Sequence, residues 1–158
     1  MCPQKLRNAL VSSHRNLAYG NMSYTWEPFR ALWDSDLSRQ VRGGHKLTES
    51  HVKPDSHDKM RVHLAVDMFR PETTALLQVM VQLRLVGSDP KVTPEHFKAT
   101  VEYCERCWEL WMVIYEGVGG KGKDRLNRDT FGAHLQRMKD AVQWFAAWRR
   151  SCKVCVPA

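Results

Sequence analysis

At 158 residues and 43% hydrophobic, the chain can bury one sizeable core, whereas two independent domains would each be small. It carries 24 basic against 17 acidic side chains, a net charge of +7 and a pI of about 9.3; that balance favours polyanionic partners such as nucleic acid or phosphates. No apolar run approaches membrane-spanning length, and Met1-Cys-Pro-Gln-Lys lacks the apolar core of a signal peptide. Five cysteines without disulfide-framework spacing suit a reducing, intracellular compartment.

Helical periodicity dominates from the start. Pro3 to Leu17 reads as a basic helix carrying Leu6, Leu10 and Leu17, with Pro3 suited to a first turn. Gly20-Asn21 is a predicted turn. Ser23 is then placed to cap a second helix through Tyr24, Trp26, Phe29, Leu32 and Trp33, with Pro28 early enough to be tolerated. Residues 35–45 are polar and include Gly43-Gly44, a loop.

The stretch Lys46 to Phe69, KLTESHVKPDSHDKMRVHLAVDMF, comes next and has two halves. Through Pro54 it is polar and irregular. Beyond Pro54 it predicts a helix capped by Asp55 or Ser56. Lys59, His63, Asp67 and Arg70 form its polar stripe, and Met60, Leu64, Ala65, Met68 and Phe69 its apolar side. Arg61 falls within that apolar face, near the helix start. A guanidinium there must snorkel, pair with an acid or meet an anion, because an unpaired buried charge is too costly. A helix N-terminus makes the anion physically reasonable. Spacing alone favours the plainer outcome, a snorkelling or salt-bridged arginine.

Arg70-Pro71-Glu72 predicts a kink or a restart with Pro71 in the first helical position. Thr73 to Val86 is apolar nearly all round, which predicts a buried helix. Thr93, Pro94 and Glu95 then form a strong helix start. The helix they open, to about Glu116, carries a stripe of Phe97, Val101, Cys104, Trp108, Trp111 and Tyr115. Asp129 or Thr130 is predicted to cap a last helix with Phe131, Leu135, Met138, Val142, Phe145 and Trp148. The expectation is an all-α bundle of about five to six helices, incomplete at both ends, over residues 1–150, with a disordered tail over 151–158.

Several motifs carry little chemistry. GVGGKGK, residues 117–123, has the letters of a phosphate-binding loop, but Asp124 follows it and a helix precedes it; a glycine-terminated helix and a solvated loop explain it better. The pairs Cys104/Cys107 and Cys152/Cys155 invite zinc, yet the first lies mid-helix and the pairs are far apart, so small buried thiols are favoured. His51, His57 and His63 specify no metal site and read as surface histidines. No catalytic constellation is recognisable.

The run K-L-T-x-x-H from Lys46 to His51, followed by K-M-R-V-x-L-A from Lys59 to Ala65, resembles the GTP-binding insertion domain of the P element transposase family. In that family the domain interrupts an RNase H-like catalytic domain. Lys5 to Leu10 (KLRNAL), Trp26 to Asp34 and Ala99 to Tyr103 (ATVEY) are similar to further family segments, in the expected order, so the resemblance spans most of the chain. It implies a module for DNA transposition that is non-catalytic alone, because the metal-holding carboxylates of the catalytic domain lie outside this chain. It also implies DNA and that missing catalytic domain as partners, no membrane partner, and the nucleus rather than the cytoplasm.

GTP is the implied cofactor, with Lys46, Arg61 and Val62 at the nucleotide and Arg61 replacing a lysine. The family's acid and amide fall at Met112 and Tyr115 here, and neither can accept paired guanine N–H bonds. Phosphate contacts are therefore expected to outlast guanine selectivity, with Glu109 or Glu116 as nearby substitutes. The rival readings are a basic helical nucleic-acid-binding module, using Lys121, Lys123, Arg125 and Arg128, and a transposase remnant with no ligand. A nucleotide site should gather Lys46 and Arg61 around one pocket facing Trp111 and Tyr115. An Arg61 guanidinium capped by a carboxylate or splayed into water, with no cavity beside it, would end the nucleotide argument.

Overall fold

Pro3 opens the first helix, α1 (Pro3–Val11), which buries Leu6 and Leu10 on one face. A hairpin follows, β1 (Leu17–Tyr19) against β2 (Met22–Tyr24), antiparallel with Leu17 opposite Tyr24 and Ala18 opposite Ser23. Then come α2 (Glu27–Leu37), α3 (Glu49–Val52), a 3-10 turn (Asp58–Met60), α4 (Val62–Phe69), α5 (Pro71–Gln82), α6 (Pro94–Gly119) and α7 (Phe131–Val154). The structure, a computed structural model, describes residues 3–11, 17–19, 22–37, 47–83, 92–119 and 126–154. Among these the protein is an all-α bundle with one short hairpin, and no helix is long and apolar enough to cross a membrane.

The core is organised on α6, whose buried residues include Phe97, Val101, Tyr103, Cys104 and Cys107. Tyr103 is its junction. Its ring lies 5.4 Å from Tyr24 of the hairpin, 6.3 Å from Phe69 of α4 and 5.7 Å from Trp148 of α7. Its hydroxyl donates to the Leu6 carbonyl of α1 at 3.0 Å. A buried tyrosine needs such a partner, since an unpaired hydroxyl in an apolar site costs stability. One side chain thus ties four elements to the central helix. Trp26 performs a similar function nearer the surface: it packs on Phe29 at 4.7 Å and donates its ring N–H to Val52 O at 2.8 Å.

Local signals explain most helix boundaries. Pro28 occupies the first turn of α2, where no intrahelical N–H bond is lost. Arg70 is extended, as a residue before proline must be, and Pro71 restarts the helix as α5. The Thr73 hydroxyl donates to Asp67 O at 2.9 Å and fastens that corner.

The structure departs from the sequence expectations at identifiable places. The first helix ends at Val11, and Leu17 belongs to β1; Ser23 lies in β2, so α2 starts later than expected. Residues after Pro54 form a turn and a 3-10 segment, so α4 begins at Val62, not at Asp55. Asp55 does cap, but it caps the turn, accepting the Asp58 N–H at 2.6 Å. That bond is the main reason the Asp55 carboxyl is held below its usual pKa. The altered phase puts Met60 in solvent at 74% exposure.

Three apolar faces are also less buried than predicted. Val79 and Leu83 of α5 are exposed, and so is Tyr115 at the end of the α6 stripe. On α7, Phe145 and Trp148 pack against the core, while Phe131, Leu135, Met138 and Val142 are exposed. Helix α7 also continues through Val154, past the expected start of the tail at residue 151.

Candidate functional site

The two runs that carry the resemblance, Lys5 to Leu10 and Lys59 to Ala65, meet in space. Three side chains on one face of α1 take three successive carbonyls of the 3-10 turn. Arg7 Nη2 donates to Asp58 O at 2.8 Å, Asn8 Nδ2 to Lys59 O at 3.1 Å and Gln4 Nε2 to Met60 O at 2.7 Å. The i, i+3, i+4 spacing on α1 makes this possible. Arg7 is fully buried at 0% exposure, and its Nε and Nη2 also donate to Asn8 Oδ1 at 3.2 and 3.1 Å. Burial lowers the Arg7 pKa from its usual value, and the charge of Asp58 opposes that shift. Its Nη1 is buried without a hydrogen-bond partner among the described residues.

This clamp fixes where α4 begins. Arg61 is the N-cap residue, extended at φ −79° and ψ 115°, and no side chain caps the helix. Among the described residues no side chain caps the first-turn N–H groups. Arg61 is not embedded in an apolar face: its side chain is 57% exposed, with Nη1 3.5 Å from Asp58 Oδ1. Val62 and His63 beside it are exposed as well. The cause is the 3-10 turn, which rotates residue 61 away from the phase that an unbroken helix from Asp55 would give it. Both features, the solvent exposure and the carboxylate partner, count against a nucleotide site at Arg61, although an ion pair so exposed contributes only about 0–1 kcal/mol. Among the described residues the ionic partner of Arg61 is Asp58 of the preceding turn.

His51 differs most from its sequence reading. It is buried at 4% exposure, not a surface histidine. It closes a capping box with Thr48: the Thr48 N–H donates to His51 Nδ1 at 3.1 Å, and the Thr48 hydroxyl lies 2.8 Å from the same nitrogen. Its Nε2 faces Asp67 Oδ2 at 3.6 Å, while Asp67 Oδ1 is 3.0 Å from Arg70 Nε. The same box recurs at α6, where Thr93 N–H donates to His96 Nδ1 at 3.1 Å. T-x-x-H before a helix was thus a readable signal, with histidine in the role usually given to glutamate or glutamine.

The remaining candidates are dispersed. Lys46, Lys121, Lys123 and Arg125 lie outside the described residues; Arg128 is described and exposed. Met112 is half-buried, and Trp111 stacks on Tyr115 with ring centroids 5.9 Å apart. Glu109 is 3.4 Å from Arg106, and the Glu116 side chain lies outside the described set. Cys104 and Cys107 are buried and free, with burial pushing both thiols well up, so they remain neutral and unreactive. The Cys152 side chain and Cys155 lie outside the described set. A cavity of about 290 Å³ borders Met138, Lys139, Val142 and Gln143, beside the exposed stripe of α7.

The arrangement at the start of α4 offers one kind of chemistry, the holding of an anion by N–H groups and a guanidinium. Among the described residues it contains no group of three or more histidine, cysteine, aspartate or glutamate side chains that could hold a metal ion. Compared with known proteins, the chain matches no family model, no curated protein and no solved structure.

Proposed function

We propose that this chain is a P element transposase-like GTP-binding insertion domain, non-catalytic alone, that holds nucleotide phosphates at the start of α4. One observation carries the reading. Segments fifty-one residues apart, both of which resemble the family, are bonded to each other by Arg7 and Asn8. Their contact leaves Arg61 and Val62 at an uncapped helix end open to solvent. The resemblance adds Lys46 as a second cation. Because the site is open and Met112 and Tyr115 offer no carboxylate, phosphate contact dominates and the base contributes little.

The exposed stripe Phe131, Leu135, Met138 and Val142 supports the rest of the proposal. An exposed apolar stripe can serve as a partner site, and a catalytic domain of the kind the family carries is the partner we assign to it. DNA engaged by that assembly, in the nucleus, completes the reading, and the net charge of +7 favours it.

Titration calorimetry with GTP, ATP and XTP tests the nucleotide. The three should bind with similar affinity, and Arg61→Ala should weaken each by about tenfold or more, the value of a charge-assisted hydrogen bond. Lys46→Ala should act in the same direction. Negligible heat with all three nucleotides would overturn the assignment. Salt-sensitive DNA binding unaffected by Arg61→Ala would point instead to the basic nucleic-acid module.

A further inference from the structure

The buried imidazole of His51 is used by nothing in the nucleotide reading, yet its surroundings are specialised. Nδ1 accepts the Thr48 N–H at 3.1 Å, which requires that nitrogen to be unprotonated. The neutral ring therefore carries its proton on Nε2, toward Asp67 at 3.6 Å. Among the described residues Asp67 is the carboxylate acting on the ring, and its other oxygen already holds Arg70 at 3.0 Å. His63 of α4 and Arg7 of α1 add positive charge near the imidazole. From just before α2, Trp26 donates to the neighbouring Val52 carbonyl and contributes no charge. An imidazolium here would thus be a further cation around one shared carboxylate, in a site closed to water.

We propose that His51 is a pH-operated latch: protonation on acidification breaks the Thr48 box, and α3 opens away from α4 so that the imidazolium can be hydrated. The sign follows from the balance of effects on the ring. Burial is the largest, and it lowers the His51 pKa against the pull of Asp67. The open state, with a pKa of about 6.5, then binds the proton more readily than the closed one. The closed state is favoured above about pH 6.5 and loses ground as pH falls below it. Carboxylates titrate lower and leave this window to histidines, among which the His51→Gln variant below isolates His51. The latch does not depend on nucleotide binding.

Amide hydrogen exchange by NMR on the full chain tests it. The reporters are the amides of His51, bonded to Thr48 O at 2.9 Å, and Lys53, bonded to Glu49 O at 2.7 Å. Protection factors at both should fall about tenfold between about pH 7.5 and about pH 5.5, the ratio set by an open-state pKa near 6.5. His51→Gln, whose amide oxygen can still accept the Thr48 N–H, should abolish the pH dependence. His96→Gln, in the box at α6, should leave it intact. Constant protection in the wild type, or an equal fall in His51→Gln, would overturn the latch. A second measurement uses the unaltered chain: the His51 ring resonances should titrate with a midpoint below the usual histidine value, and a midpoint at or above it would also overturn the latch.

Discussion

Arg7 and Arg61 present the same guanidinium to the same short turn, and the protein treats them in opposite ways. Arg7 is fully buried and bonds to a carbonyl and an amide oxygen. Arg61 projects into solvent and only approaches Asp58. Hydrophobic patterning had put Arg61 within an apolar face, with a snorkelling or salt-bridged arginine as the favoured outcome, and the exposed pair with Asp58 is that outcome. Burial of an arginine, however, is decided by whether acceptors converge on it from elsewhere in the fold, and those acceptors gather on Arg7. The buried arginine organises structure, and the exposed one makes only a weak ion pair with Asp58.

Substitutions at the two positions should separate these roles. Arg7→Met would leave the Asp58 carbonyl and Asn8 side chain short of a donor in a buried place; a loss of about 2–4 kcal/mol in urea unfolding is expected. Asn8→Ala removes the bond to Lys59 O and should cost about 1 kcal/mol in the same assay. Asp58→Asn should lower stability modestly, because Asp58 faces both arginines. It should also tighten nucleotide binding by removing the charge that competes for Arg61. Arg61→Met should change stability by less than about 0.5 kcal/mol, as an exposed pair allows. Equal losses for Arg7→Met and Arg61→Met would break the comparison.

What could be read from the sequence was whatever had a local cause. Pro71 restarting a helix, Thr93-Pro94 opening α6 and the helical face through Phe97, Val101 and Cys104 depend on neighbours within a turn or two. The hairpin was missed because strands of three residues are too short for alternation to register against a helical background. Arg7 was missed because its Asp58 partner is fifty-one residues away. Met60 and Arg61 were misplaced because a 3-10 turn advanced the phase of everything after it. On α7, periodicity identified the apolar face correctly but could not say what covers Phe131, Leu135, Met138 and Val142. For the candidate site, Arg61 and Val62 were proposed from the resemblance, whereas the bonds between α1 and the turn before them required the fold.

The most direct test of the account follows the backbone amides of Val62 and His63 by NMR while GTP is added. Saturating shifts at these two amides, reproduced by ATP and lost in Arg61→Ala, are predicted. Unmoved signals at both amides across the titration would contradict the assignment of the α4 start as a phosphate site.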